Sequence, residues 1–60
     1  MEITVHYYST GPDSTNVSLH QGEGPYYDTM VMEQNMAATM AAPFLAELTR
    51  IGVVVIEGGA

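Results

Sequence analysis

Two histidines carry the clearest chemical potential of this chain. His6 and His20 each lie in a segment in which apolar and polar residues alternate, as they do in a strand with one buried face. If the apolar residues of both segments share that buried face, a tight turn at Pro12-Asp13 leaves only two hairpin registers. One register places the histidines directly opposite each other, and the other places them diagonally, with His6 facing Ser18 and His20 facing Thr4. In both registers the two imidazoles lie on the outer face of the sheet, close enough to interact.

A pair of imidazoles could bind a metal ion or a small molecule, act as a general base, or form a contact that changes near neutral pH. Glu2 and Tyr8 share the predicted outer face and could complete such a site. The spacing fixes no third metal ligand, so we predict neither a bound metal nor a cofactor. Solvated or interface histidines are the simpler interpretation of His6 and His20.

Other signatures of catalysis are missing from the sequence. The chain has no cysteine and no lysine, which excludes thiol chemistry, a phosphate-binding lysine and Schiff-base formation. None of its serines lies in the sequence context of a nucleophile elbow. We therefore predict that the protein is not an enzyme.

The charge balance narrows the choice of partner. Seven acidic residues against one basic residue, Arg50, give a formal net charge of -6. Nucleic acids and anionic membranes are bound through clustered Lys and Arg, so we predict neither as a partner. The acids are spread along the chain, which is typical of a solubilising surface, and the alternatives are mimicry of a nucleic-acid backbone or attraction to a basic partner surface. The N-terminal sequence MEITVHYY lacks the features of a signal peptide, which predicts a cytoplasmic location.

The length and the hydrophobic content of 47% predict a single small folded domain over residues 1–60. A hairpin is predicted over 2–21, followed by a loop over 22–27 that contains two glycines and a proline. Apolar residues then recur every three or four positions, which predicts a helix over 28–51. A strand over 53–57 and a tail over 58–60 complete the chain.

Two parts of this assignment stay open. Residues 26–32 are rich in strand formers, yet Asp28 or Thr29 could cap the start of a helix. Pro43 interrupts the helical pattern, so the helix is either kinked or split there, while Gly52 is a plausible stop signal. Helical spacing favours a role in the core, and in part at an interface, for four methionines: Met30, Met32, Met36 and Met40.

These elements predict a small two-layer α+β domain of ββαβ order. A right-handed crossover through the helix would place the last strand beside the first. The result would be a three-stranded antiparallel sheet in the order 2-1-3, with one kinked or split helix packed on one face.

Residues 53–56 point to assembly, because four branched apolar side chains follow one another without alternation. One face of this strand would meet the helix, which leaves Val54 and Ile56 for a second copy or a partner. The paired tyrosines at 7–8 and 26–27 would each send one ring outward, where tyrosine often dominates interfaces. The candidate binding residues are therefore His6, Tyr8, His20, Tyr26, Tyr27, Val54 and Ile56.

We accordingly predict a non-enzymatic protein-protein interaction module, a small acidic homodimer or larger homo-oligomer. It would act on another protein as an inhibitor or as a regulatory or accessory subunit, a role that would suit a phage-encoded protein. The alternative is a small-molecule or metal binder that uses His6 and His20 at an oligomer interface.

A third possibility comes from the C-terminus. The residues Glu57-Gly58-Gly59-Ala60 resemble the terminal diglycine of ubiquitin-like and sulfur-carrier proteins, and the hairpin-then-helix order adds to the likeness. The resemblance implies a carrier whose terminal carboxylate is adenylated after Ala60 has been removed.

Overall fold

The computed structural model describes residues 2–22 and 29–58. Within these ranges, one helix packs on one face of a four-stranded mixed sheet, so the predicted two-layer α+β architecture is confirmed. The elements are β1 (Glu2–Gly11), β2 (Ser14–Gly22), β3 (Thr29–Ala37), α1 (Ala38–Arg50) and β4 (Val54–Glu57). Their order across the sheet is β3-β2-β1-β4, with β3 and β4 at the edges.

β1 and β2 form the predicted antiparallel hairpin. Pro12 and Asp13 make its turn, and the register shifts at the end of β1, between Ser9 and Gly11. Proline fits the second turn position because its ring fixes φ near the value required there.

The prediction of a helix over 28–51 is wrong in its first part, because Thr29–Ala37 is a strand. The spacing of Met32, Met36 and Met40 misleads, since four residues make about one helical turn and also two strand periods. The strand prevails because it pairs along nearly all of β2 and satisfies backbone groups that a helix would leave unpaired there.

β4 lies beside β1, as predicted, but the two strands are parallel. The prediction of a three-stranded antiparallel sheet is therefore wrong both in strand number and in the direction of the last strand. The physical reason is the additional strand β3, which reverses the chain before it enters α1. A crossover that leaves from β3 returns β4 in the direction of β3 and β1.

α1 is one continuous helix with Pro43 inside it, so the helix is not split. It begins where the Ala38 N–H donates to the carbonyl of Asp13 in the hairpin turn, at 2.9 Å. Ala37 precedes it and makes no side-chain cap. The hairpin turn thus takes the role that a capping side chain has in other helices.

The helix ends at the predicted stop signal. Gly52 has φ of 96°, a left-handed value that glycine adopts without strain. Its N–H donates to the Thr49 carbonyl at 3.1 Å, and the Val53 N–H donates to the Leu48 carbonyl at 3.0 Å. These two bonds define a Schellman motif, which turns the chain from α1 into β4.

The apolar core under α1 is small. Val5, Val17 and Ala41 are its buried hydrophobic residues within the described ranges. A chain of this length hides a limited share of its surface, so much apolar area stays accessible. In the described part of the chain, no helix has both the length and the apolar character needed to cross a membrane.

Candidate functional site

The sheet has one face under α1 and a second face, here called the open face, that α1 does not cover. Pairing between the strands arranges the open-face residues in cross-strand rows. From β4 to β3, the rows are Val54, Thr4, His20 and Met30; then Ile56, His6, Ser18 and Glu33; and finally Tyr8, Asn16 and Asn35. Polar residues therefore fill the centre of this face, and apolar residues lie along its β4 edge.

The two histidines lie next to each other in the middle of the open face. The hairpin has the diagonal register, with His6 opposite Ser18 and His20 opposite Thr4. The ring centroids are 4.6 Å apart, and the rings meet edge to face at an interplanar angle of 73°. This edge-to-face arrangement is one that aromatic pairs prefer.

The polar centre is densely packed even though α1 does not cover it. His20 is 3% exposed and Ser18 is 2% exposed. The Nε2 atom of His20 and the Oγ atom of Ser18 are 2.9 Å apart and share a hydrogen bond. This hydrogen bond fixes the Ser18 hydroxyl and the His20 ring relative to each other.

Two further hydrogen bonds join the polar side chains of β3 to the hairpin. The Asn16 amide donates to a carboxylate oxygen of Glu33 at 3.1 Å. The Thr10 hydroxyl donates to the side-chain oxygen of Asn35 at 2.7 Å. The open face thus contains a polar network that reaches from β1 to β3 and includes the buried Asn16.

Apolar side chains border this network on both sides. Tyr8, Val54 and Ile56 are 40%, 46% and 43% exposed on the β4 side, and Met30 is 51% exposed on the β3 side. Sequence reasoning named Tyr8, Val54 and Ile56 as binding residues, and the strand register places all three on this face. Their role in binding stays a prediction.

The helix side of the sheet contains a feature that sequence reasoning missed. An apolar cleft of about 110 Å³ lies between α1 and the strands, and its β3 wall contains the exposed Met32. The alternation of Met32, Gln34 and Met36 was the available signal for it. The cleft is lined by Val5, Val17, Leu19, Met32, Gln34, Met36, Phe44 and Leu48.

No group of three or more His, Cys, Asp or Glu side chains that could hold a metal ion occurs among the residues described. Glu47 and Arg50 form a charged pair on α1, and neither residue belongs to the open face or to the lining of the cleft. The Arg50 guanidinium donates to Glu47 at 2.9 Å and lowers the pKa of that carboxyl, while Glu47 raises the pKa of Arg50. Both groups are fully exposed, so this pair adds local order to the last helical turn.

Comparisons with protein-family models, with curated proteins and with solved structures gave no match to this chain. Two predicted binding residues, Tyr26 and Tyr27, and the tail residues Gly59 and Ala60 lie outside the described ranges. The carrier hypothesis, which depends on that tail, stays a prediction.

Proposed function

We propose that this chain is a non-enzymatic interaction protein, a small acidic homo-oligomer that acts by binding another protein. The observation that supports this function is the distribution of apolar side chains. Among the residues that the structure describes, three hydrophobic ones are buried in the core, while many large ones on the sheet and on α1 are 40% or more exposed. Large apolar side chains left exposed in groups are typical of association surfaces.

The open face has the composition expected for a contact with a partner protein. Tyr8, Val54 and Ile56 offer apolar area, and tyrosine in particular is frequent among the residues that dominate interfaces. The net charge of -6 favours a partner whose contact surface is basic. Such a protein would work as an inhibitor or as a regulatory subunit, by covering a basic surface of its target.

The mass of the wild-type protein across a dilution series down to micromolar concentration tests the self-association. We expect a dimer or larger assembly by sedimentation equilibrium or light scattering. A monomer at every concentration would contradict the homo-oligomer.

The partner is tested by affinity capture from an extract of the organism that encodes the chain, with I56D as the variant. Ala46 is exposed on α1, so A46D serves as a control of equal charge. A captured protein that binds wild type and A46D but is lost with I56D supports the open face as the contact. Equal capture by all three proteins would refute it.

A second candidate function, binding of a metal ion or small ligand, is favoured by the contact between the rings of His6 and His20. Titration with zinc or nickel, followed through the histidine ring resonances, tests it directly. Saturable shifts at stoichiometric metal would support the site, and unchanged resonances would exclude it.

A further inference from the structure

The strand β3 is a long sheet edge, with one charged residue, Glu33, and one irregularity, at Val31. It has nine residues, and along it only Met36 is partly buried. Proteins protect such edges with charged side chains, above all lysine, with proline, with bulges or with a very short strand, because unpaired backbone groups there recruit other strands. β3 contains neither lysine nor proline, whereas the opposite edge, β4, is only four residues long.

The hydrogen bonds of the sheet show which backbone groups of β3 point outward. The Gly58 N–H donates to the Tyr7 carbonyl at 2.7 Å, so Tyr7 directs its backbone groups toward β4. Backbone groups alternate in direction along each strand. His6, the neighbour of Tyr7, therefore directs its backbone groups toward β2, and its partner Ser18 directs its own toward β1. The backbone groups of Glu33, which lies opposite Ser18, then point away from the sheet, and the same holds for Asn35 two residues further on.

We propose that β3 pairs with β3 of a second copy, antiparallel, about a two-fold axis at Gln34. This inference rests on the proposed self-association and names its surface. The backbone groups of Glu33 would then bond with those of Asn35 in the second copy, twice, on either side of the axis. The product is one continuous eight-stranded sheet, four strands from each copy.

The sequence of β3 favours this register, and the N35C variant below tests the neighbouring axis at Asn35. Val31 is left out of the pairing with β2, so the regular part of the strand is 32–37. An axis at Glu33 would set two carboxylates directly opposite each other, which is unfavourable. An axis at Gln34 instead sets Glu33 opposite Asn35, a carboxylate opposite an amide, and sets Met32 opposite Met36.

The second copy also completes the apolar cleft under α1. A two-fold axis perpendicular to the sheet places both helices on the same face, so the β3 walls of the two clefts become neighbours. Met32 is 55% exposed in one copy and would be covered from the other side by Met36 of the second copy. Met32 and Met36 of both copies would then line the joined cleft side by side. The cleft of one copy would therefore be half of the cleft in the dimer.

This pairing closes after two copies. It uses the same strand in both partners and leaves only the short β4 strands at the ends of the sheet. An interface of this isologous kind forms a dimer and does not extend into a fibre. The short outer edges then protect the assembly against further addition of strands.

Disulfide trapping tests the register, because the chain has no cysteine of its own. In Q34C the two cysteines would be opposite each other at a non-hydrogen-bonded position, where Cα atoms are ~4.5 Å apart, within the range that a disulfide spans. We expect Q34C to form a covalent dimer under mild oxidation much faster than N35C or A46C. A46C places its thiol on the exposed side of α1 and reports random collision.

A pair of charge variants tests the same contact without cross-linking. N35E would place a second carboxylate opposite Glu33 of the other copy, and N35K would place an ammonium there. We expect the dimer of N35E to dissociate about tenfold more readily than that of N35K, since two cross-strand charge pairs change sign. A46E and A46K give the matched controls, and we expect their dimers to differ much less.

The outcomes separate this inference from the proposed function. If the wild-type protein is a dimer but Q34C forms no covalent dimer faster than A46C, the β3 pairing is wrong and self-association stands. If the wild-type protein is a monomer at all concentrations, self-association itself is wrong. Far-UV circular dichroism of each variant confirms that a lost dimer is not a lost fold.

Discussion

His20 is only 3% exposed, although it lies on the sheet face that α1 does not cover. Its position explains this, because β2 is an inner strand and the His6 ring contacts that of His20 across the pair. The hydrogen bond with Ser18 then satisfies a hydroxyl that has little access to water. Contacts between polar side chains thus hold the residues of the open face in defined positions, although these contacts bury little apolar area.

The first prediction concerns this hydrogen bond. H20F keeps a ring of similar size but removes the partner of the Ser18 hydroxyl, so we expect it to reduce the free energy of unfolding by about 1–3 kcal/mol. The measurement is urea denaturation at one fixed protein concentration, because association also affects stability.

The double variant H20F/S18A provides the control for this prediction. It removes both hydrogen-bonding groups, so we expect it to recover most of the lost stability. If adding S18A to H20F does not raise the free energy of unfolding, the destabilisation by H20F arises from packing of the ring and not from a Ser18 hydroxyl that has lost its hydrogen-bond partner.

A second prediction concerns the charged pair on α1. Arg50 lowers the pKa of Glu47, so we expect R50Q to return that pKa upward toward its ordinary value, measured by NMR titration of the Glu47 carboxyl. Because the folded-state pKa of Glu47 is depressed, the stability from this pair is present above the unfolded pKa and is lost as pH falls through the folded pKa. Both groups are fully exposed, so we expect only a small change in the urea midpoint. An unchanged Glu47 pKa in R50Q would contradict the contact.

At the scale of elements, β3 and α1 follow each other without a loop, and the boundary between them falls between two alanines. Neither alanine can cap a helix through its side chain, so the Asp13 carbonyl of the hairpin turn determines where α1 begins. The hairpin therefore positions the helix as well as two strands. Pro43 weakens α1 further, since it cannot donate to the Thr39 carbonyl.

The third prediction follows from that proline. P43A restores a donor for the Thr39 carbonyl and removes a ring from the helix interior, so we expect a gain of about 1–2 kcal/mol in the free energy of unfolding. The gain stays below the full penalty of an internal proline because alanine leaves the unfolded chain more freedom. The measurement is thermal or urea unfolding.

A42G serves as the control, because it shows how strongly a substitution at an exposed position next to Pro43 changes the stability of the protein through α1. We expect it to cost up to about 1 kcal/mol. A P43A variant that is less stable than the wild type would mean that α1 needs the bend that a proline gives.

The sequence predicted the hairpin, its turn, the shared outer face of the two histidines and the glycine that ends the helix, because each depends on local spacing or on one special residue. It did not predict β3, because the spacing of Met32, Met36 and Met40 fits both periods. The choice between them is made by β2, a partner that is distant in sequence. The direction of β4 and the cleft under α1 depend on β3, so both were missed with it.

At the scale of the whole molecule, negative charge and apolar surface act against each other. Each copy has a net charge of -6, so two copies repel, and in the proposed dimer the methionines and β3 backbones would have to overcome that repulsion. Repulsion between like-charged copies extends about one Debye length, which salt shortens from ~30 Å at 0.01 M to ~3 Å at 1 M.

The fourth prediction is therefore that salt tightens the homodimer. We expect its dissociation constant to fall on the order of tenfold between about 0.01 M and about 1 M sodium chloride, measured by sedimentation equilibrium. A complex with a basic partner should change in the opposite direction, because screening then removes attraction.

The variant D13N/E57Q tests whether charge repulsion causes the salt dependence. It is less negative but keeps the same dimer contact, so its dissociation constant should depend less on salt. Both side chains are exposed, so the substitutions leave the core unchanged. A dimer that dissociates as salt is raised would show that charge pairs, and not apolar contacts, hold the copies together.

The place of β4 beside β1 has a consequence for how long the native state lasts. The pairing of Thr4 with Val54 joins positions near the two ends of the described chain, so it closes the longest loop in the fold. Contacts of such high sequence separation tend to form after the local hairpin contacts on the folding pathway. Weakening a strand that forms late mainly accelerates unfolding and leaves the folding rate nearly unchanged. We therefore expect substitutions in the four residues of β4 to change the unfolding rate more than the folding rate.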